Sequence, residues 1–480
     1  KTAIVWFRRD LRLADNPALN QALADADRII PLYILTPDED SRALGAASRW
    51  WLHHSLKALH EQLLSRGSRL IIKQGEPAEV LMTLARVASC EGVYWNRLYE
   101  PAAIERDTAL KQMLRQAGLC VSSHNAALLH EPWALQTLSG EPYKVYTPYR
   151  KAALKAGLAQ AVSPAPEALP LPDGDVQGLA LDALQLLPRI PWDKGFYPVW
   201  SVGEQAAWQQ LEAWVAAPVL GYDSGRDRPD QAGTSRLSPH LAFGEISPRQ
   251  IMAALRQGHD FDGEDSPGTR VFVQELLWRE FAYHLLFHYP KTPLSPLNPR
   301  FERFAWRTDH ADDLLAWQQG QTGIPLVDAG MRQLWATGWM HNRVRMVVAS
   351  FLTKNLLIPW QAGARWFWDT LLDADLASNT LGWQWVAGSG ADAAPYFRIF
   401  NPVLQAARFD PEGVYTRHWV PELARLPTAH LHQPWKAPAN SLAAAGVRLG
   451  VDYPAPRVDL AYSRERALAC YKASRENGDA

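Results

Sequence analysis

Strand-type and helix-type runs alternate over the first 130 residues, and this alternation constrains the fold most. Ala3–Phe7, Arg28–Leu35, Arg69–Lys73, Gly92–Asn96 and Cys120–Ser123 are short apolar runs rich in β-branched and aromatic residues. Helix-like segments lie between them: Pro17–Ala24, Ser48–Ser65, Pro77–Ala88 and Ile104–Ala117. This order predicts a parallel sheet of βαβ units with right-handed crossovers. The first strand leads into Phe7-Arg8-Arg9-Asp10-Leu11-Arg12 and not into a glycine-rich GxGxxG turn. The dinucleotide fingerprint is therefore missing, and a nicotinamide cofactor is not expected here.

Between Ser163 and Trp200 stand seven prolines: Pro164, Pro166, Pro170, Pro172, Pro188, Pro191 and Pro198. Such a run cannot form a long helix and is expected to cross the surface from one domain to the next. Helical periodicity dominates afterwards, in Val202–Ala217, Pro239–Arg256, Arg270–Phe287, Asp312–Gln319, Pro325–Thr337, His341–Leu357 and Ala362–Leu372. The expected organisation is an α/β domain over 1–130, a connector over 131–200 and an all-α domain over 201–480, consistent with what 480 residues allow. The net charge of −1 carries no global signature of nucleic-acid binding, so any polyanion site is a local patch. Cys90, Cys120 and Cys470 have neither zinc nor disulfide-framework spacing, which suggests a reducing compartment. The chain enters a strand-like run at once, so no secretory leader is expected. No uncharged apolar run approaches the ~18 residues of a membrane helix, and a cytoplasmic protein is expected.

Chemistry concentrates between Trp335 and Trp385. That stretch of 51 residues holds seven of the 21 tryptophans, where proportional sharing would give roughly two. Arg332, Arg343, Arg345 and Lys354 come with no acid between Met331 and Trp360; Asp369, Asp373 and Asp375 then follow. A core needs apolar bulk, not indoles whose N–H must find a partner and not arginines. Read as a helix, His341–Leu357 carries Val344, Val347, Val348, Phe351 and Leu352 on one buried stripe, and Asn342, Arg345, Met346 and Ala349 on a second that can face a cavity. The plainer reading of a generic helix like this is an amphipathic element with solvated arginines; the flanking tryptophans weigh against it.

Two further constellations stand out. In Gly233-Thr234-Ser235-Arg236-Leu237-Ser238-Pro239, Ser238 reads as an N-cap with Pro239 opening a helix. Hydroxyls and a glycine before a helix also suit a phosphate or pyrophosphate, although the plain N-cap is the commoner meaning. In Glu275–Glu280, Glu275 and Trp278 are neighbours at i, i+3. A surface Glu275–Arg279 pair, worth about 0.3 kcal/mol, is the bland explanation. A carboxylate beside an indole also offers a stacking face and a hydrogen-bonding group, as an extruded base requires.

Together with Trp6–Arg12, Thr322–Pro325, Thr337–Arg345, Asp373–Trp385 and Ala393–Pro402, these motifs resemble the photolyase/cryptochrome family, and closely its bacterial class I cyclobutane pyrimidine dimer photolyases. The resemblance spans nearly the whole chain. It implies an α/β N-terminal domain with a parallel Rossmann-like sheet and an all-α C-terminal FAD-binding domain. FAD is expected to contact Tyr222, Thr234, Ser235, Arg236, Leu237, Ser238, Phe272, Asn342, Arg345, Asp373, Ala374, Asp375 and Asn379. Relatives often carry Trp where Phe272 stands. Asn379 matches the asparagine facing flavin nitrogen 5, and Arg345 with Asp373 matches an ion pair beside the ring system. Trp383, Trp360 and Trp306 match an electron-transfer chain ordered from flavin to surface. The implied reaction is light-driven: excited, reduced FAD donates an electron to a pyrimidine dimer flipped out of UV-damaged DNA, and the dimer splits. Glu275, Trp278, Asn342, Met346 and Trp385 would form the lesion pocket, with Arg226, Arg279, Arg343, Arg398 and Gln405 as further DNA contacts. The protein is expected to act as a monomer.

Family members can carry a second, antenna chromophore on the N-terminal domain. Folate-binding relatives can have Asn-Glu where this chain has Ala102-Ala103, with Glu105 nearby but shifted, and deazaflavin-binding relatives can have Lys at Ala242. Methenyltetrahydrofolate is favoured over deazaflavin. A cryptochrome, the signalling alternative, often adds a long disordered tail, whereas this chain ends soon after Tyr471. Enzymes of the family that act on (6-4) products carry a proton-donating histidine pair. Here Asn342 takes the pocket-facing place, with His341 about 100° round the helix, so cyclobutane dimers are the expected substrate.

Overall fold

Strand β1 (Thr2–Phe7) sends alternate side chains to two different cores. Ala3, Val5 and Phe7 join one apolar cluster, and Ile4 and Trp6 join another on the opposite face. That two-sided burial requires neighbours on both edges and helices on both faces. The computed structural model supplies them; it describes the chain apart from residues 37–41, 159, 173, 175, 259–265, 397 and 477–480. Phe397, within the Ala393–Pro402 motif, thus lies outside the described residues.

The sheet has the order β3-β2-β1-β4-β5 with every pairing parallel. Its other strands are β2 (Arg28–Leu35), β3 (Ile71–Gln74), β4 (Gly92–Asn96) and β5 (Cys120–His124). Helices α1 (Pro17–Asp25) and α2 (Ala46–Leu64) cover the Val5 face with Leu19, Ala22, Leu52 and Leu56. Helices α3 (Pro77–Val87) and α4 (Pro101–Gln116) cover the Trp6 face with Leu81, Leu84, Leu110 and Leu114. The strand order reverses between β1 and β4, where sheets of this kind open a ligand crevice beyond the strand ends.

In this chain the motif after β1 lies at that crevice and is held by hydrogen bonds. Arg8, 3% exposed, donates to Asp107 of α4 at 2.6 Å and to the Asn96 carbonyl. Asn96 in turn donates to Asp10 at 2.6 Å and to Asn16 at 2.7 Å. Arg12 donates to the carbonyls of Gly244 (3.0 Å) and Ala126 (2.8 Å), and Glu204 accepts the N–H groups of Leu13 (2.8 Å) and Ala14 (2.9 Å). Arg8 thus braces the α/β domain from within, while Arg12 fastens it to the helical domain at Gly244.

The segment over 131–200 is not merely a surface crossing. It forms helix α5 (Tyr146–Ala156) and buries Leu169, Leu184, Leu186, Phe196 and Trp200, all of them against the α2 side of the sheet. The helical domain then runs through α6 (Glu204–Ala216), α7 (Tyr222–Gly225), α8 (Ser238–Ala242), α9 (Pro248–Gly258), α10 (Pro267–His288), α11 (Ala311–Gln318), α12 (Pro325–Thr337), α13 (Asn342–Ser350), α14 (Trp360–Thr370), α15 (Leu376–Ala387), α16 (Pro402–Phe409), α17 (Val414–Trp419), α18 (Thr428–Leu431), α19 (Ala439–Ala445) and α20 (Leu460–Glu476).

Two expected helices are corrected. Pro239–Arg256 is broken into α8 and α9, because Gly244 turns with φ +64° and lies so close to the chain after β1 that a Cβ would sit 2.0 Å from the Arg9 carbonyl oxygen. His341–Leu357 ends as an α-helix at Ser350 and continues as one π-turn, Phe351–Asn355. The expected buried stripe is there: Val344, Val347, Val348, Phe351 and Leu352 all enter the main core of the helical domain. No helix among the described residues is long and apolar enough to cross a membrane, and no group of three or more His, Cys, Asp or Glu among them is placed to hold a metal.

Candidate active site

Arg226 and Asp227, adjacent at the end of α7, bring the two expected pocket walls together. Arg226 pairs with Glu275 of α10 at 2.5 Å, and Asp227 accepts Arg343 of α13 at 2.8 Å. One short segment thereby joins the helix carrying Glu275 and Trp278 to the helix carrying Asn342 and Met346. Asn342 is exposed and lies one turn from Met346, with its amide nitrogen 4.0 Å from the sulfur. Trp278 and Trp385 are both partly buried, as walls of an open pocket need to be. Glu275 does not pair with Arg279 on the surface, which removes the bland explanation for their spacing.

His341 is turned away from this opening. It is buried, accepts the Arg343 N–H at its Nδ1 (3.1 Å), and caps α13. Burial pushes its pKa down to about 4, with Arg345 and Arg343 adding to the effect and Asp227 opposing it. It is therefore an uncharged cap at neutral pH. Burial, reinforced by the Glu275 charge, raises the phenols of Tyr222 and Tyr146, so both keep their protons.

Several of the residues expected to hold FAD are joined by pairwise contacts. Gly233 packs so closely on Gly225 that a Cβ would lie 2.4 Å from the Gly225 carbonyl oxygen, which seats Tyr222 beside the Thr234–Ser238 loop. Phe272 meets Tyr222 edge-on at 5.4 Å. Arg236, in a left-handed conformation with φ +55°, holds its guanidinium between Trp200 (4.7 Å) and Trp339 (4.9 Å). Among the described residues no carboxylate pairs with it, so the indoles orient a cation whose N–H edge stays available to an anion. Ser238 is a correction: it is the first residue of α8 and not its cap, and its hydroxyl donates to Asp373 at 2.7 Å. Leu237 is buried and occupies the cap position.

Arg345 grips the same Asp373 through two nitrogens, at 3.2 and 2.7 Å, and also donates to the Met340 carbonyl. The partly buried pair is thus well hydrogen-bonded, the condition under which such a pair is tolerated. Ala374 follows, its carbonyl 3.4 Å from Arg9. Asp375 caps α15 through the Ser378 N–H (2.7 Å) and receives the Tyr283 hydroxyl. Asn379 donates its amide nitrogen to the Ala364 carbonyl at 3.0 Å, leaving its oxygen as the end that can face a ligand.

Of the three expected relay tryptophans, Trp383 and Trp360 are buried in one core, and Trp306 is partly buried at its margin. Trp383 and Trp360 are equally buried, so burial alone sets only Trp306 nearer the surface. Trp383 sits over Gly363 of α14, where a Cβ would come 2.1 Å from the indole. Among the expected DNA contacts, Arg398 is exposed and Gln405 is half-buried on α16. Arg279 is a correction: it turns inward to the Ala127 carbonyl (2.8 Å) and the Tyr283 ring (5.0 Å). Sequence reasoning missed Asp227 and Tyr146. Tyr146 lies in the segment read as connector, yet its ring stacks on Trp278 at 3.7 Å and 10°; no local pattern signals a contact across such a sequence distance.

Family models match two parts of the chain: DNA photolyase over residues 3–171 and the FAD binding domain of DNA photolyase over residues 272–473. The deoxyribodipyrimidine photo-lyase of Agrobacterium fabrum is 48% identical, over 98% of each chain. Cryptochrome-2 of Arabidopsis thaliana is 39% identical, over 99% of this chain and 79% of its own length. The crystal structure of a bacterial class III photolyase from Agrobacterium tumefaciens superposes with a TM-score of 0.95 at 47% identity, covering 99% of this chain and 98% of that one.

Proposed function

The chain belongs to the DNA photolyase/cryptochrome family, and from that premise we propose that it repairs cyclobutane pyrimidine dimers in UV-damaged DNA with light. The observation that carries this reading is the Arg226–Asp227 bridge, which joins the helix bearing Glu275 and Trp278 to the helix bearing Asn342 and Met346. A dimer extruded between them would lie against Trp278 and Trp385; a lesion already poorly stacked costs less to extrude than an intact base. Glu275, paired with Arg226, presents carboxylate oxygens that accept hydrogen bonds from the N–H edge of a pyrimidine. Asn342 donates to a carbonyl. Neither it nor the uncharged, buried His341 is an acid near neutral pH, which fits dimer splitting and not (6-4) chemistry.

FAD fits the joined residues described above. Arg236 and the Thr234–Ser238 loop would take its diphosphate, and Arg345, Asp373 and Asn379 would line its ring system. The chemistry a bound flavin supplies there is single-electron donation to the dimer on illumination. Arg345, held by Asp373, which also accepts the Ser238 hydroxyl, would set the charge facing the ring, and Trp383, Trp360 and Trp306 would give electrons a stepwise route from the surface.

A second, light-harvesting chromophore of the folate type is part of the proposal. Beside the crevice at the ends of β1 and β4 opens a cavity of about 680 Å³, lined by Trp95, Tyr99 and Trp133 with Arg97, Lys111 and Arg115. Aromatic faces and cations together suit a planar, anionic pigment.

The test gives pure protein a dimer-containing duplex and a (6-4)-containing duplex under one blue lamp, with dark controls, and assays flavin released by denaturation. Dimer repair only in the light, with near-stoichiometric FAD, is expected. Bound FAD with no repair of either lesion would favour the cryptochrome-type role; efficient (6-4) repair with an untouched dimer would overturn the assignment of Asn342.

A further inference from the structure

Trp278 is partly buried, and one face of its indole is covered. Tyr146 covers that face in near-parallel contact, ring centroids 3.7 Å apart at 10°, and Phe281 closes an edge at 5.8 Å. The covering ring is pinned at both ends. Its hydroxyl donates at 2.7 Å to the Gln274 carbonyl, the carbonyl to which an α-helix also directs the Trp278 N–H. Its backbone N–H, in the first turn of α5, donates at 3.0 Å to Asp392. Asp392 thus supplies from a distant loop the acceptor and negative charge that a helix N-terminus favours. It does so from a left-handed conformation, φ +50°, which its short polar side chain tolerates.

The loop carrying Asp392 is itself tied to the other wall. It follows α15 directly, and the Trp385 carbonyl accepts the N–H groups of Gly388 (3.3 Å) and Ala394 (3.2 Å) on either side of it. The contacts therefore run Trp385, Asp392, Tyr146, Trp278, and join the two tryptophan walls behind the pocket. The connector helix closes this circuit, which neither wall helix can do alone.

We propose that Tyr146 and Asp392 form a strap that sets the separation and tilt of Trp278 and Trp385, making them positioning residues for the flipped lesion. The proposal rests on the reading that this pocket takes a dimer. Tyr146 touches no substrate: it backs the indole, and a third planar group adds to a preformed two-ring stack, on a face that need not be ordered when the lesion arrives. Without the backing ring, Trp278 gains rotamer freedom and the lesion has to order it.

The FAD-loaded protein is compared as parent, Tyr146→Leu, Tyr146→Phe, Asp392→Ala and Asp392→Asn, measuring affinity for a dimer-containing duplex and for the undamaged duplex of the same sequence. Tyr146→Leu should weaken dimer binding about tenfold, the scale of one lost stacking increment, with undamaged-DNA affinity and flavin content unchanged. Tyr146→Phe keeps the ring and should stay within about twofold, because a single neutral hydrogen bond contributes little net. Asp392→Ala should move dimer affinity in the same direction while leaving the ring in place, which keeps the test open if Tyr146→Leu does not fold. Asp392→Asn retains the accepting oxygen and should restore it. Variants that bind the dimer like the parent overturn the strap. So do variants that lose both DNAs, or the flavin, in equal measure. A parent that does not distinguish the two duplexes overturns the lesion pocket itself, and the strap with it.

Discussion

Lys354 carries its ammonium where no water reaches. It is 0% exposed, donates to the Arg398 carbonyl at 2.8 Å and lies 5.1 Å from the Tyr396 ring, with no carboxylate paired to it among the described residues. Burial, with the Arg398 charge adding to it, pushes its pKa down to about 7. The unfolded chain would hold that proton up to about pH 10.4, so it binds more protons than the folded chain between those values. Stability must therefore rise with pH from about 7 to about 10, and the cost of the buried charge is present in full below pH 7. Lys354→Met keeps the length and removes the charge. It should raise the melting temperature at pH 6.5 and lose that advantage at pH 9.5, where only the hydrogen bond to Arg398 is missed; equal shifts at both pH values would mean that the charge is relieved in some other way. At Trp383 the question is packing against electron transfer. The indole fills the notch over Gly363, which alone explains its size. Trp383→Phe keeps most of the bulk and removes the easily oxidised ring. Photoreduction of oxidised flavin in this variant should largely stop, while repair by chemically pre-reduced enzyme persists. Unchanged photoreduction would leave Trp383 as core.

Elements were legible in the sequence where one local rule acted alone. All five strands stand where alternating apolar runs place them, within two or three residues, and Pro325–Thr337 opens on proline and closes on Gly338 in a left-handed cap. Breaks came where a distant partner decides. The turn at Gly244 is set by the chain after β1, and the π-turn after Ser350 lies where Ser350 holds the Phe400 N–H (3.1 Å) and Lys354 the Arg398 carbonyl. Neither partner is local, so periodicity runs straight through both sites. The same limit hid α5 as a pocket element, although Glu275, Trp278, Asn342 and Met346 were all visible from helical spacing and resemblance. Ser238 misled for a related reason: a hydroxyl before proline reads as a cap unless one knows that Asp373 lies within reach. The α14–α15 contact shows how tightly such elements are fitted. Gly363→Ala would drive a methyl into the Trp383 indole, and overpacking of that kind costs about 1–3 kcal/mol. The variant should melt several degrees lower and release flavin more readily, whereas alanine at the open Gly382 should not; a Gly363→Ala protein as stable as the parent would show that the indole can retreat.

At the scale of the whole molecule, a chain with net charge −1 has to bind a polyanion with a local set of cations, and ion pairing decides which cations are available. Arg226 and Arg343 were both expected on DNA phosphates, but each is paired, to Glu275 and Asp227, and the pairs hold the pocket together. Arg398 is exposed and has no ion pair among the described residues, and its loop is anchored from below by Lys354. A cation that neutralises one phosphate adds about 0.9 to the slope of log affinity against log salt. Arg398→Ala should therefore flatten the slope on undamaged duplex by close to that amount, measured between about 50 and 200 mM salt. Arg343→Ala should flatten it less, because a guanidinium that stays on Asp227 displaces no DNA counterion. It should weaken binding of the dimer-containing duplex more, because Asp227 is left unpaired beside the pocket and the bridge to α13 is cut. A slope change in Arg343→Ala as large as in Arg398→Ala would show that the Asp227 pair opens on the DNA, so that the bridge is an arrangement of the free protein and the phosphate takes over its arginine.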